Sequence, residues 1–141
     1  MINSFMMRQL LFLFFVISFL LGCGMSEKKN EDVRFEYQGY GDSTLSVMFG
    51  TVFEDSSGIE KPIPEALVEI VETKKITTSD QNGNFSIGEE TGQYKVQVSK
   101  SGYQTIILEN YQAISDRVST AKIKLTLGKG VKVVVLADKK R

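Results

Sequence analysis

Residues 92–105 read GQYKVQVSKSGYQT, and the core of that stretch, YKVQVSK (94–100), alternates with a period of two: Tyr94, Val96 and Val98 on one side, Lys95, Gln97 and Ser99 on the other. Successive side chains of an extended chain point to opposite faces, so this pattern is that of a strand with one face in a core and one in water. Working outward, Gly102-Tyr103 turns the chain into a further strand at 103–108, and AKIKLTL (121–127) alternates again, with Ala121, Ile123, Leu125 and Leu127 against Lys122, Lys124 and Thr126. Gly128-Lys129-Gly130 then turns the chain into residues 131–137, an eighth strand if it forms, which would make an edge hairpin. On the upstream side, residues 75–79 and 85–88 flank DQNGN, in which Asn82-Gly83 can supply the positive φ angles of a tight hairpin. ALVEIVE (66–72) alternates after the Pro62/Pro64 pair, and LSVMFGTVFE (45–54) is apolar on both parities, as a strand near the centre of a core would be. No helical periodicity with capping signals competes. Seven or eight short strands with frequent turn signals make an all-β chain and a β-sandwich.

The chain before residue 45 has a different character. Arg8 precedes an apolar run from Leu10 to Leu21 that only Ser18 interrupts, followed by Gly22 and Cys23, the one cysteine. A charged start, a short apolar core and a small residue before a cut are the marks of a secretory signal. About a dozen residues make roughly 18 Å of helix, too short for the ~30 Å hydrocarbon core of a bilayer. Leu20-Leu21-Gly22-Cys23 resembles the bacterial lipobox. That resemblance implies that residues 1–22 are removed and that Cys23 becomes a lipidated mature N-terminus. A plain signal peptide with an incidental cysteine and an uncleaved anchor are the competing readings. Residues 23–44 are expected to be the lipidated cysteine and a tether. Its first part, SEKKNED (26–32), holds no apolar residue, whereas VRFEYQGYGDST (33–44) has three aromatics and two glycines and is either tether or an added strand. The domain is expected at 45–137, with a basic tail at 138–141.

Composition narrows the function. The chain has 17 basic and 17 acidic residues; loss of Arg8 with the signal leaves 16 and 17, net −1, which gives no concentrated basic face for nucleic acid. There is no histidine, and with Cys23 lipidated no thiol remains for a disulfide, a zinc site or a nucleophile. The expectation is therefore no catalytic residue, no metal and no cofactor.

Four pieces of the chain, GTVFED, KPIPEALVEIVET, TTSDQNGNFSI and GQYKVQVSKSGYQT, resemble the carboxypeptidase regulatory-like domain in order and spacing. The matching positions are Gly50, Val52, Asp55 (one residue late), Pro62 or Pro64, Ala66, Val68, Asp80, Gly83, Phe85, Gly92, Tyr94, Val96, Val98, Gly102 and Tyr103, within about residues 48–127. The resemblance implies a transthyretin-like, Greek-key sandwich, grouped with carbohydrate-binding-like folds and used as a non-catalytic accessory module. Elementary physics assigns these residues structural work: Asp80 accepts hydrogen bonds from its own turn, Gly83 takes a conformation other residues resist, and Phe85 fills the core.

Other patterns are weaker. Asp80, Asn82 and Asn84 sit at the spacing of a calcium loop's first oxygens, but Phe85 and Thr91 stand where an EF-hand needs Gly and Glu, so a hairpin turn is favoured. The adjacent carboxylates Glu31-Asp32, Glu54-Asp55 and Glu89-Glu90 read as solvated charge, because neighbours on a strand point to opposite faces. Phe35, Tyr37, Tyr40 and Tyr111 are the rings left over for a ligand. The functional expectation is a non-catalytic, lipid-anchored envelope protein whose sandwich serves as an interaction or structural module. Its partners are the membrane through Cys23 and an envelope protein, with a carbohydrate or peptidoglycan module as the alternative. The lipobox resemblance, with Gly24 rather than Asp after the cysteine, implies the outer membrane rather than the inner, where the cell has one.

Overall fold

The computed structural model describes residues 32–39 and 44–137. Cys23 and Tyr40 lie outside the described residues. The alternating stretch at the centre of the chain forms β7 (Gly92–Ser99), with Val96 and Val98 fully buried and Lys95 exposed. Around it are β1 (Val33–Gly39), β2 (Leu45–Ser56), β3 (Ile59–Pro62), β4 (Leu67–Ile70), β5 (Lys75–Thr78), β6 (Asn84–Glu90), β8 (Thr105–Ala113), β9 (Arg117–Lys124) and β10 (Val131–Val135). They form two five-stranded sheets. The first runs β1-β9-β2-β3, with β6 also on β2; the second runs β10-β8-β7-β4-β5. The sandwich expected from the pattern is the fold, enlarged by two strands the pattern did not resolve, β1 and β3. Of the two readings left open for residues 33–44, the added strand is the one formed, since Val33–Gly39 pairs antiparallel along the length of β9.

The inner faces meet in one core: Met48, Val52, Phe85, Ile87, Ala121 and Ile123 from the first sheet, against Val68, Ile70, Val96, Val98, Ile106, Leu108 and Val134 from the second. Each of the larger of these side chains, removed from water, contributes about 1.5–3 kcal/mol, and Ala121 less. Gly50 shows how tightly β2 and β6 fit. It lies opposite Phe85, and a Cβ built there would fall 2.3 Å from two ring carbons of Phe85.

Three expectations are corrected. Asn82 does not take a positive φ; only Gly83 does (76°), and a Cβ there would lie 2.3 Å from the Val52 carbonyl oxygen. The chain after Gly130 does not fold back on β9 as a hairpin: β10 crosses to the other sheet and pairs parallel to β8. Leu127 is 67% exposed rather than on the inner face, because β9 ends at Lys124 and the chain leaves it after Leu125, turning to run beside residues 102–104.

A bulge changes the parity of β8. Tyr94 pairs with Tyr111 and Val96 with Leu108, so Glu109 and Asn110 together oppose Lys95, and Asn110 takes φ 64°. Ile106 and Leu108 point inward before the bulge, Tyr111 and Ala113 after it. Tyr111, counted above among the free rings, is thereby 1% exposed. Its hydroxyl reaches the buried Ser46 (3.4 Å) and Ser119 (3.2 Å), and Phe35 of β1 packs edge-on against its ring at 5.7 Å. The Lys95 N–H, released from the ladder, donates instead to the Glu72 carboxylate (2.9 and 3.0 Å).

The parity of β7 can be checked with two substitutions one residue apart. Val96→Asp buries an unpaired carboxylate at a cost of several kcal/mol, comparable with the ~5–15 kcal/mol stability of a small domain, and should unfold it. Lys95→Asp replaces the exposed ion pair with Glu109 (3.1 Å) by exposed like charges beside Glu109 and Glu72 and should cost about 1 kcal/mol, far less than Val96→Asp. Similar midpoints for the two variants would contradict the burial pattern.

Candidate binding surfaces

The carboxylates are the first groups to ask of any chemistry, and most of them are already held by the fold. Asp80 Oδ1 accepts from the backbone N–H groups of Asn82 (2.8 Å) and Asn84 (2.9 Å), the turn contact expected of it. Asn84 Oδ1 accepts from the Thr51 hydroxyl at 2.9 Å. Two oxygens that a calcium loop would aim at a metal are therefore engaged elsewhere, one within the β5–β6 turn and one by β2. Among the described residues no group of three or more Cys, Asp or Glu is placed to hold a metal ion.

In two of the three adjacent carboxylate pairs one member is not solvated as expected, Asp32 and Glu89, while Glu90 is exposed and Glu31 lies outside the described residues. Asp32 is only 14% exposed, and it bridges Lys124 (3.2 Å) and Lys132, tying the start of β1 to both sheets. Glu89 is 6% exposed, on the inner face at the end of β6 where that strand meets β5. Thr73 donates to it at 2.7 Å, the Glu90 N–H at 3.1 Å, and the Lys75 ammonium lies 3.5 Å away while also donating to the Gly88 carbonyl. Burial by itself would raise the Glu89 carboxyl; the Thr73 and Glu90 hydrogen bonds and the Lys75 charge outweigh it and hold the group below its usual value.

Glu54-Asp55 lies at the opposite end of the sandwich. The Tyr103 hydroxyl donates to Glu54 Oε2 at 2.8 Å, and that bond, with burial, raises the phenol above its ordinary value. Asp55 Oδ1 accepts from the Gly58 N–H at 2.9 Å, closing the β2–β3 turn. Between this turn and residues 124–127 is an open cleft of about 560 Å³, acidic on one side and bordered by exposed Leu127 on the other.

Among the described residues, two groups of large apolar side chains are exposed. On the open face of the first sheet, Phe49 is 48% exposed, opposite Thr120 on β9 and Ser86 on β6, with Leu45 exposed on the same strand. Alternation alone does not single out Phe49 as a free ring, because a strand apolar on both parities does not reveal which side is covered. On the second sheet, Val131, Val133 and Val135 of β10 are exposed together. Of the rings nominated earlier, Tyr111 is core and Phe35 is half-buried against it.

The family model for the carboxypeptidase regulatory-like domain matches residues 47–126. No curated protein matches the chain. Among solved structures, a chain of a type II cohesin–X-dockerin complex from Acetivibrio cellulolyticus, in a C-terminal interface mutant, is similar at 28% identity and a TM-score of 0.50, over 59% of this chain and 58% of that one. The corresponding N-terminal interface mutant of that complex matches over the same shares at 24% identity and TM-score 0.50, a likeness of fold. The chain thus spans less than two thirds of the length of these structural neighbours.

The buried Glu89 makes stability depend on pH. Its folded-state value lies below the ordinary 4.5, so its contribution is complete above 4.5 and is lost as the pH falls through the lower folded value. Urea denaturation followed from pH 7 to pH 3 should show the midpoint falling in that window, and Glu89→Gln should flatten the fall while lowering the midpoint at pH 7. An unchanged acid limb in Glu89→Gln would remove Glu89 from the account.

Proposed function

The chain belongs to the carboxypeptidase regulatory-like domain family, and from that premise we propose that it is a non-catalytic interaction module held at the cell envelope by lipid on Cys23. The observation that carries the interaction reading is the pair of uncovered apolar surfaces on a sandwich whose core is otherwise closed: Phe49 on one sheet, Val131, Val133 and Val135 on the other. The likeness to a chain from a protein–protein complex supports a protein as the partner. The chemistry on hand supports the non-catalytic half. Glu54, Asp55, Glu72, Asp80 and Glu89 each serve a turn, a bulge or a tyrosine rather than converging on one point.

The anchor is supported by the sequence around Leu20-Leu21-Gly22-Cys23 and by the charged stretch that separates it from β1. Two or three acyl chains, at about 0.8 kcal/mol per buried CH₂, make such attachment effectively permanent. A cell-envelope location follows, at the outer membrane where one is present.

A second reading, a carbohydrate or peptidoglycan module, is favoured by one feature. Phe49 offers a ring on a flat sheet face beside the hydroxyls of Ser86 and Thr120, a combination suited to the apolar face and the rim of a pyranose.

Affinity capture of the anchored protein from native envelope, with mass spectrometry of what accompanies it, tests the first reading, and peptidoglycan pull-down with wild type and Phe49→Ala tests the second. A saturable protein partner and no Phe49-dependent retention on peptidoglycan is the expected result. For the anchor, Cys23→Ser should abolish incorporation of labelled palmitate and detergent-phase partition; a variant that still carries the label would contradict lipidation at Cys23.

A further inference from the structure

The two most exposed large apolar side chains belong neither to the Phe49 surface nor to the β10 valines. Among the described residues Leu127 is 67% exposed and Ile59 64%, and both stand at the cleft end of the sandwich. Ile59 follows Gly58 at the β2–β3 turn and pairs with Ser56, so its side chain lies on the same side of the sheet as Ser56, which lines the cleft. Leu127 borders the other side, where residues 126–130 run beside residues 102–105. A Cβ built on Gly58, Gly102 or Gly130 would meet nothing within 4 Å, so the turns at this end stand clear of packed neighbours. The opposite end differs: its turns carry exposed Glu72, Glu90 and Asp116, with Leu45 beside them.

The chain itself sets what lies beyond the cleft end. Val33 lies opposite Ile123, and the Asp32 carbonyl accepts from the Lys124 N–H, so the polypeptide enters the domain level with Phe53 of β2. Ser56, three residues further along β2, puts the turn tips about 10 Å beyond that entry point. Residues 24–31 separate the entry point from Cys23, a reach of at most about 28 Å. Leu45, at the opposite end, lies eight residues back from Phe53, about 27 Å. Facing that end to the bilayer would draw the connecting chain out completely, whereas the cleft end needs almost none of it.

Charge does not oppose the approach. Glu54, Asp55 and Glu60 stand against Lys61, Lys122 and Lys129, and Asp32 is shared by Lys124 and Lys132. Apolar contact therefore decides. Two side chains on separate tips do not make the continuous area of about 800 Å² per partner that a stable protein interface buries, but a headgroup layer admits such tips one by one.

We propose that the cleft end is a membrane-docking surface: Ile59 and Leu127 enter the headgroup–acyl boundary of the bilayer that holds the Cys23 lipid, with Lys129 at the level of the phosphates. This rests on the anchor reading above and adds the orientation of the domain. The anchor makes so small a contact sufficient, because it keeps the tips at a high local concentration of lipid. Each side chain moved from water into the boundary raises the docked-to-free ratio by about tenfold. In this pose Phe49 stays clear of the lipid.

The chain has no tryptophan, so Leu127→Trp places a single indole at the surface in question. The anchored protein is reconstituted into phosphatidylcholine vesicles whose acyl chains are brominated near the headgroup. Flotation with the vesicles reads the anchor, and quenching of the indole reads docking. Leu127→Trp should float and be quenched, undiminished in molar salt, whereas Leu45→Trp should float and stay bright. Adding Ile59→Asp to Leu127→Trp should lower the docked-to-free ratio by about tenfold or more with little change in melting temperature, since Ile59 is exposed. Ile59→Leu in the same background should leave the ratio within about threefold. Floating protein with an unquenched indole in Leu127→Trp would overturn docking and leave the anchor standing. Equal quenching in Leu127→Trp and Leu45→Trp, loss of quenching in molar salt, or undiminished quenching with Ile59→Asp would overturn it as well. Failure to float would remove the anchor and the proposal with it. Dimers in detergent that Leu127→Asp breaks, with no quenching in vesicles, would assign the surface to a second copy instead.

Discussion

The ring of Phe85 occupies the space that any side chain on Gly50 would need, and the arrangement of the first sheet follows from that contact. It locks the register of β2 against β6, and in a strand whose side chains alternate, a slip of one residue would send Met48 and Val52 to solvent. Just past Thr51 the β2–β6 ladder ends. Val52 donates to the Gly83 carbonyl and accepts from the Ile63 N–H, so β2 passes from β6 to the turn and then to β3 on the same side. Gly83 is required for the second half of this exchange, since its positive φ and missing Cβ let the turn lie against Val52. The same segment joins the sheets: Ser79, just before the turn, is buried, accepts from the Ala66 N–H and donates to the Ile63 carbonyl.

The family-pattern residues were legible because each does one local job that sequence spacing reveals: Asp80 in its turn, Gly83 at a left-handed position, Phe85 and Val96 in the core. What escaped the reading depended on other strands. A single-sequence alternation cannot foresee the bulge at Glu109-Asn110, and without the bulge Tyr111 falls on the wrong face. Glu89 and Asp32 look like solvated acids until Thr73, Lys75, Lys124 and Lys132 are brought to them from elements 14 to 100 residues away, and burial then follows from satisfied hydrogen bonds. The β10 edge is a third case. A GKG turn between two apolar stretches suggests a hairpin, but β9 already has β1 and β2 on its two sides, so the next strand has no place in that sheet.

The candidate surfaces had the same dependence. Both strands that carry them, β2 and β10, have apolar residues on both parities, and the position of the strand in its sheet decides which valine or phenylalanine is left outside. Among the described residues nothing packs on the outer face of the first sheet at Phe49, and β10 is last in its sheet. These surfaces belong to different sheets, so one can be altered without the other.

The pairing of β1 also bears on how the proposed anchor would present the domain. With Val33–Gly39 in the sheet, the chain between Cys23 and the domain is residues 24–31 rather than 24–44, a covalent reach of at most about 28 Å. Asp32, where the domain begins, is bound to Lys124 at the end of β9 that borders the acidic cleft. Lipid on Cys23 would therefore hold the cleft end, with Leu127 and the Glu54-Asp55 turn, nearest the membrane. The antiparallel register of β1 on β9 puts the other end, with the Glu89-Glu90 and Ser115-Asp116 turns, outermost. β10 runs from the Thr105 end of β8 only as far as Glu109, while β8 continues to Ala113, so the β10 edge lies along the cleft-side half of the sandwich.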